Sequence, residues 1–527
     1  MLFQPENTAA LMALGLREKQ TSSERPDWRQ ALPMASPSAC LRAASFSGSG
    51  IPSSSHPLRV ARSSAASKAV RIMVVAIDEG HNESHRHPST NLEGCRWIYR
   101  GARQVPEARR SVVMSVLSRM CGAVMAAVCA AGMAQAAQGP HVVTLSHTFE
   151  PPRASALAAL VARFNAASEK DHIALHDAAG DATQAPTLMV VQSGEVAALQ
   201  RARRIRPLHQ VMAQAGFALS RAPGSAAYAA GTVDARGRPL GLPIGLHTPL
   251  LFVNRQAFRE VGLDPERPPH TWHSLQDALG KLAEAGYACP YTVARPSWVM
   301  LDNVSARHHL AVTEPAGRAE RLSVNGMLQI RHVALMASWV RARYLHLFGR
   351  GVEAEQRFAR GECAVLAASS ASWPQFVQAA GFEVGVGELP YYDDLPGAPG
   401  PTLADGASLW AASGKSRNDY RTAARFVRFL LEPENQLYWQ RTTGFLPLNS
   451  RGVFVRDTVD MTQPNLRVAS QQLQLGPKMR RVTASTLPNS LAVRTIVEDE
   501  LDRVWADIQP AKQALDNAVE RVGAVRE

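Results

Sequence analysis

Residues 251–275, LFVNRQAFREVGLDPERPPHTWHSL, decide the fold. Leu251 to Asn254 continues from Leu250 as a short apolar run of the length of a buried strand. Phe258 to Val261 begins a helix that Gly262 closes, and the prolines of Asp264-Pro265 and Pro268-Pro269 stiffen the loop that follows. Thr271 caps a second helix, expected from Trp272 to about Ala285 and stopped by Gly286. A strand, a helix, a rigid loop and another helix form the cadence of an α/β protein, in which helices cover both faces of a largely parallel sheet.

The same cadence extends to either side. Upstream, Val142 to Leu145 alternates like a strand, and Pro151-Pro152 precedes a helix with Leu157, Leu160, Val161 and Phe164 on one face. Ile173 to Leu175, Thr187 to Val191 and Leu240 to Ile244 read as further strands, the last leading into the turn Gly245-Leu246-His247. Downstream, Leu328 to Trp339 is an amphipathic helix and Cys363 to Ala367 a wholly apolar strand. Thr422 to Leu431 is helical, Pro433 starts a new helix that ends before Gly444, and Ile496 to Trp505 and Pro510 to Val522 close the chain. No fixed period recurs, which excludes solenoids and propellers.

The chain has 527 residues and a formal net charge of +12. Residues 1–113 are rich in Ser, Pro, Ala and Arg without sustained periodicity, so this stretch is expected to be disordered or to lie upstream of the true start. Residues 114–136 read as a signal peptide: Arg119, an almost uncharged run from Cys121 to Met133, then the cleavable Ala134-Gln135-Ala136. Translation is accordingly expected to begin at Met114, with Met120 as the second choice. Neither Cys121 nor Cys129 follows a small residue, so no lipid anchor is expected. The remaining chain carries about +5, too mild and too dispersed for a nucleic-acid partner. Export to the periplasm leaves Cys289 and Cys363, and their spacing leaves open one disulfide or two buried thiols.

Enzyme signatures are missing: there is no Gly-x-Ser-x-Gly elbow, phosphate-cradling loop, His-Glu-x-x-His or dinucleotide fingerprint. His308 and His309, adjacent on a helix, point about 100° apart and make a poor metal pair. A non-enzymatic protein with no metal and no cofactor is expected.

Five collinear stretches carry a resemblance: the opening segment, GECAVLAASS from Gly361, GASLWAASGK from Gly406, FLLEPENQLYWQRTTGFLPLN from Phe429, and IVEDELDRVWADIQPAKQALDNAVERVG from Ile496. Together they resemble the periplasmic glycerol-3-phosphate-binding proteins of bacterial ABC importers, within extracellular solute-binding protein family 1, over residues 141 to 523. The resemblance implies a two-lobed, maltose-binding-like α/β fold with hinge crossovers. It implies lobe 1 at 137–247 and 369–410, lobe 2 at 248–368 and 411–527, and a monomer that delivers a glycerophosphate-type ligand to permease subunits driven by a cytoplasmic ATPase. Neutral oligosaccharides on the same fold, or a secreted phosphodiester hydrolase, are the rival readings.

By the same resemblance Arg494 is the phosphate-binding arginine, Trp298 a ligand-flanking tryptophan, and Ser369 and Gly406 ligand contacts. A guanidinium suits phosphate because its fork donates two parallel hydrogen bonds. Ser369-Ser370 precedes a helix with Pro374 in its first turn, which equally fits a plain N-cap, and Gly406 equally fits a tight turn. The departures lie at Arg295, in place of a second flanking tryptophan, at Phe445 for a pocket tyrosine, and at His247 for a pocket serine. A pocket glutamate falls at Ser193, with Glu195 as its expected stand-in, and a segment with another tyrosine is missing between Asp181 and Pro186.

Overall fold

The computed structural model describes residues 140–177, 185–221, 231–317, 319–474, 487 and 490–525. The expected leader segments, and all but the end of the 181–186 stretch, lie outside the described residues. Among these residues no helix is long and apolar enough to cross a membrane.

Strands β1 (His141–His147), β2 (Asp171–Asp177), β3 (Leu188–Val191) and β4 (Ile205–Arg206) form the first lobe's sheet together with one later strand. β1 pairs in parallel with β2 and β3, and the helix Arg153–Ala166 buries Leu157, Leu160, Val161 and Phe164 against this sheet. The chain then crosses to a second lobe. There β5 (Pro249–Asn254), β6 (Tyr291–Val293), the hairpin β7 (Thr313–Ala316) and β8 (Ala319–Leu322), β9 (Leu345–His346), β10 (Val365–Ser369) and β11 (Val384–Glu388) follow, with the sheet order β11-β5-β10-β6-β9. A second crossing returns β12 (Ser408–Ala412) to the first sheet, between β3 and β4.

Local chemistry explains the elements of the opening segment. β5 is buried along its whole length, as a strand covered on both faces must be. Asn254 accepts from the backbone N–H groups of Gln256 and Ala257, and Thr271 and Ser274 form a reciprocal cap on the helix Trp272–Glu284.

Three expectations need correction. The sheets are mixed, because β12 runs antiparallel to β3 and β4, and β5 runs antiparallel to β10 and β11. Strands that enter after a crossing arrive from the other lobe and need no parallel crossover helix. Leu240 to Ile244 forms no regular strand; only Leu242 bridges to Leu409. Pro239 and Pro243 lack the N–H groups a ladder requires.

The lobe boundaries also shift. β11 pairs with β5, and Phe376 packs on Phe252 and Phe358, so residues 373–388 belong to lobe 2 rather than lobe 1. The helices Arg417–Leu430 and Pro433–Thr443 follow β12 and pack on the β1 side, in lobe 1 rather than lobe 2. A third crossing then leads to the helices Pro464–Gln474, Ser490–Trp505 and Ala511–Ala524 of lobe 2. Cys289 and Cys363, each two residues before β6 and β10, are joined by a disulfide.

Candidate functional site

The three crossovers meet in one layer between the lobes. Gly245 N donates to Ala407 O at 2.9 Å, His247 and Asp405 exchange both backbone hydrogen bonds at 3.1 and 2.9 Å, and Leu446 N donates to Leu246 O at 2.8 Å. Gly406 has φ +132°, and a Cβ there would fall 1.8 Å from Gly245 O. Only glycine allows two crossover segments to pass this closely.

A cavity of about 450 Å³ opens onto this layer. Lobe 1 contributes Phe149 and Arg153 after β1, and Ser193 and Glu195 after β3. The crossovers contribute His247, Asp405, Gly406 and Phe445. Arg295, Leu491 and Arg494 come from lobe 2. A smaller pocket of about 100 Å³ shares Ser193, Asp405 and Arg494 and adds Trp298 and Asp302.

Arg295 sits just beyond β6 with φ +54°, a strained conformation of the kind that persists where surrounding contacts dictate it. Its Nη2 lies 2.5 Å from Asp405 Oδ2, its guanidinium stacks 4.5 Å from the Trp298 ring centre, and its Nη1 reaches His247 Nε2 at 3.5 Å. Trp298 begins a π-helical turn, Trp298–Asn303, that carries Asp302 toward Arg494. Ser193 Oγ donates to Asp405 Oδ1.

The charges follow from these contacts. Burial pushes the Asp405 carboxyl up, but Arg295, Arg494 and the Ser193 hydroxyl outweigh it and hold the group well below the usual carboxylate range. Asp302 is the opposite case: burial raises it to about 6 despite Arg494. Burial, with the Arg295 charge, lowers His247 to about 3, so its ring is neutral at pH 7. Because Arg295 donates to Nε2, the ring proton sits on Nδ1, which has no partner among the described residues.

Of the sequence-predicted residues, Arg494, Arg295, His247, Phe445, Gly406, Ser193 and Glu195 line the larger cavity. Arg494 is half-buried on the helix Ser490–Trp505 and forms no ion pair with another described residue. Trp298 is buried beneath Arg295 and lines only the smaller pocket. Ser369 lies outside both: its Oγ accepts from Ala371 N at 3.1 Å and caps the turn Ser370–Ser372. Glu195 is engaged in capping its own helix, through Gln192 N.

Sequence reasoning missed Arg153, Asp405 and Phe149. Arg153 stands over the Phe445 ring at 5.1 Å and donates to Ala371 O at 3.3 Å; burial lowers its pKa, and the nearby Glu355 opposes that shift. The available signal was a basic residue opening a helix with no acid in its first turn, where the helix dipole disfavours positive charge.

Two α/β lobes joined by three crossovers, with a charged cavity in the seam, define a cleft-type receptor for small ligands. The chain belongs to the bacterial extracellular solute-binding proteins, whose family profile matches residues 164–452.

It is 32% identical over 363 residues to the sn-glycerol-3-phosphate-binding periplasmic protein UgpB of Pectobacterium atrosepticum, covering 68% of this chain and 82% of that protein. The protein of the same name from Salmonella paratyphi A is 34% identical over 344 residues, covering 64% and 78%. Among solved structures, UgpB from Mycobacterium tuberculosis in complex with glycerophosphocholine superposes with a TM-score of 0.57 at 18% identity, covering 74% of this chain and 98% of that one. The cyclic alpha-maltosyl-1,6-maltose binding protein from Arthrobacter globiformis also gives 0.57, at 19% identity, covering 73% and 99%. These structural likenesses concern the fold alone.

Proposed function

We propose that the cleft captures sn-glycerol-3-phosphate or a glycerophosphodiester in the periplasm and hands it, by closure of the lobes, to the permease of an ABC importer. The observation that carries this reading is the convergence of Arg153, Arg295 and Arg494, drawn from both lobes, on one cavity. Guanidinium groups around a half-enclosed space suit an anion with several oxygens. A ligand touching both lobes stabilises the closed form, which is the form a permease recognises. The protein acts as a monomeric receptor and performs no chemistry on its cargo.

Calorimetric titration of the purified protein with glycerol-3-phosphate, glycerophosphocholine and maltose tests the reading. Binding of at least one phosphate compound is expected, without release of choline from glycerophosphocholine. Binding of maltose alone would establish the oligosaccharide reading instead, and choline release the hydrolase.

A further inference from the structure

We infer that Asp405 is a specificity-determining residue that makes the cleft prefer phosphodiesters, with one negative charge, over phosphate monoesters, with two. The inference rests on the reading of the cleft as a phosphate receptor and assigns its selectivity to one carboxylate.

Asp405 lines both the larger cavity and the smaller pocket beside Arg494. Its Oδ2 is 2.5 Å from Arg295 Nη2 and its Oδ1 accepts from Ser193 Oγ, so the side chain is clamped from lobe 2 and lobe 1 at once. The clamp also fixes the charge. Arg295, Arg494 and Ser193 all favour the Asp405 carboxylate. Burial raises the neighbouring Asp302 to about 6, so at pH 8 it is also ionised near Arg494 and adds to the same field.

Two consequences follow for a bound anion. Arg295 already has its counter-ion, so Arg153 and Arg494 are the cations left to meet a phosphoryl group. Arg494 also lies within the electrostatic reach of Asp405, so a phosphate held there faces a fixed negative charge. A second charge on that phosphate is repelled, whereas an esterified oxygen is not. The remaining lone pairs of Asp405 are still able to accept hydrogen bonds from ligand hydroxyls.

The test compares glycerol-3-phosphate with glycerophosphoglycerol at pH 8, where the monoester carries two charges because its second pKa is about 6. The wild-type protein is expected to bind the diester tighter by about tenfold or more. Asp405→Asn should bring the ratio toward one by tightening monoester binding, and Asp405→Glu should preserve the preference. Equal affinities in the wild type overturn the inference without recourse to any variant. So does an unchanged ratio in D405N with a wild-type circular dichroism spectrum. Absence of binding by either phosphate compound overturns both the inference and the receptor reading, which separates the two failures.

Discussion

Arg295 Nη2 and Asp405 Oδ2 stand 2.5 Å apart, joining the end of β6 in lobe 2 to the second crossover. The guanidinium is simultaneously packed on Trp298, and the carboxylate is almost fully withdrawn from solvent. A buried, hydrogen-bonded ion pair is costly to break from one side, because the partner left behind loses both its counter-charge and its solvent.

Arg295→Ala should therefore destabilise the protein by about 1–3 kcal/mol, the lower part of the range reflecting the partial exposure of the guanidinium. Arg295→Ala combined with Asp405→Asn should recover most of that loss, because no unpaired charge remains. Urea denaturation of the two variants gives the comparison; a double variant no more stable than the single one would contradict it.

Gly406→Ala should cost about 3 kcal/mol or more, or prevent folding. The added carbon would collide with the Gly245 carbonyl, and φ +132° is strained for any side chain. Gly262→Ala provides the contrast: φ is +69° with nothing within 4 Å, so the cost should stay near ~1 kcal/mol. Similar losses at the two positions, measured by chemical denaturation, would show that the crossing strands are not held as closely as described.

His332 sets an acid limit on lobe 2. It is fully buried beside Trp272 and bonded through Nδ1 to Tyr392 Oη at 2.9 Å. Burial lowers it from 6.5 to about 3, helped by His308 and Arg331. The unfolded chain thus takes up the proton first as pH falls, so the stability tied to neutral His332 is complete above about pH 6.5 and is lost progressively toward pH 3. His332→Gln should shrink the difference in unfolding free energy between pH 7 and pH 5 by ~1–2 kcal/mol. An unchanged pH dependence would remove His332 from the account.

The parts of this architecture that local chemistry governs were legible in sequence. Thr271 as a cap, Gly286 and Gly444 as stops, the apolar run at Val365 and the closing helices each depend on residues within one or two turns of one another. The lobe assignment of residues 373–388 and 417–443 was not legible, because it depends on which sheet β11 joins and on where the third crossing falls, and neither leaves a local mark in the sequence.

The site divides the same way. Arg494, Arg295, His247, Phe445, Gly406 and Ser193 were expected by resemblance, and the structure places them around the larger cavity. Asp405 escaped because its partners, Ser193 and Arg295, are 212 and 110 residues away. No local spacing records contacts between segments so far apart in the chain. Ser369 stayed open in the sequence for the converse reason: a serine before a helical turn carries the same local pattern whether it binds a ligand or caps the turn, and in the structure it caps the turn.

In the proposed function, guanidinium groups from both lobes hold a phosphoryl group in the seam. The decisive experiment is calorimetric titration of whichever glycerophosphate compound binds best, repeated with Arg494→Ala and with Arg153→Ala. Each substitution should weaken binding by about tenfold or more, as loss of a charge-assisted contact does. Affinity unchanged in both folded variants would mean that the anion binds elsewhere.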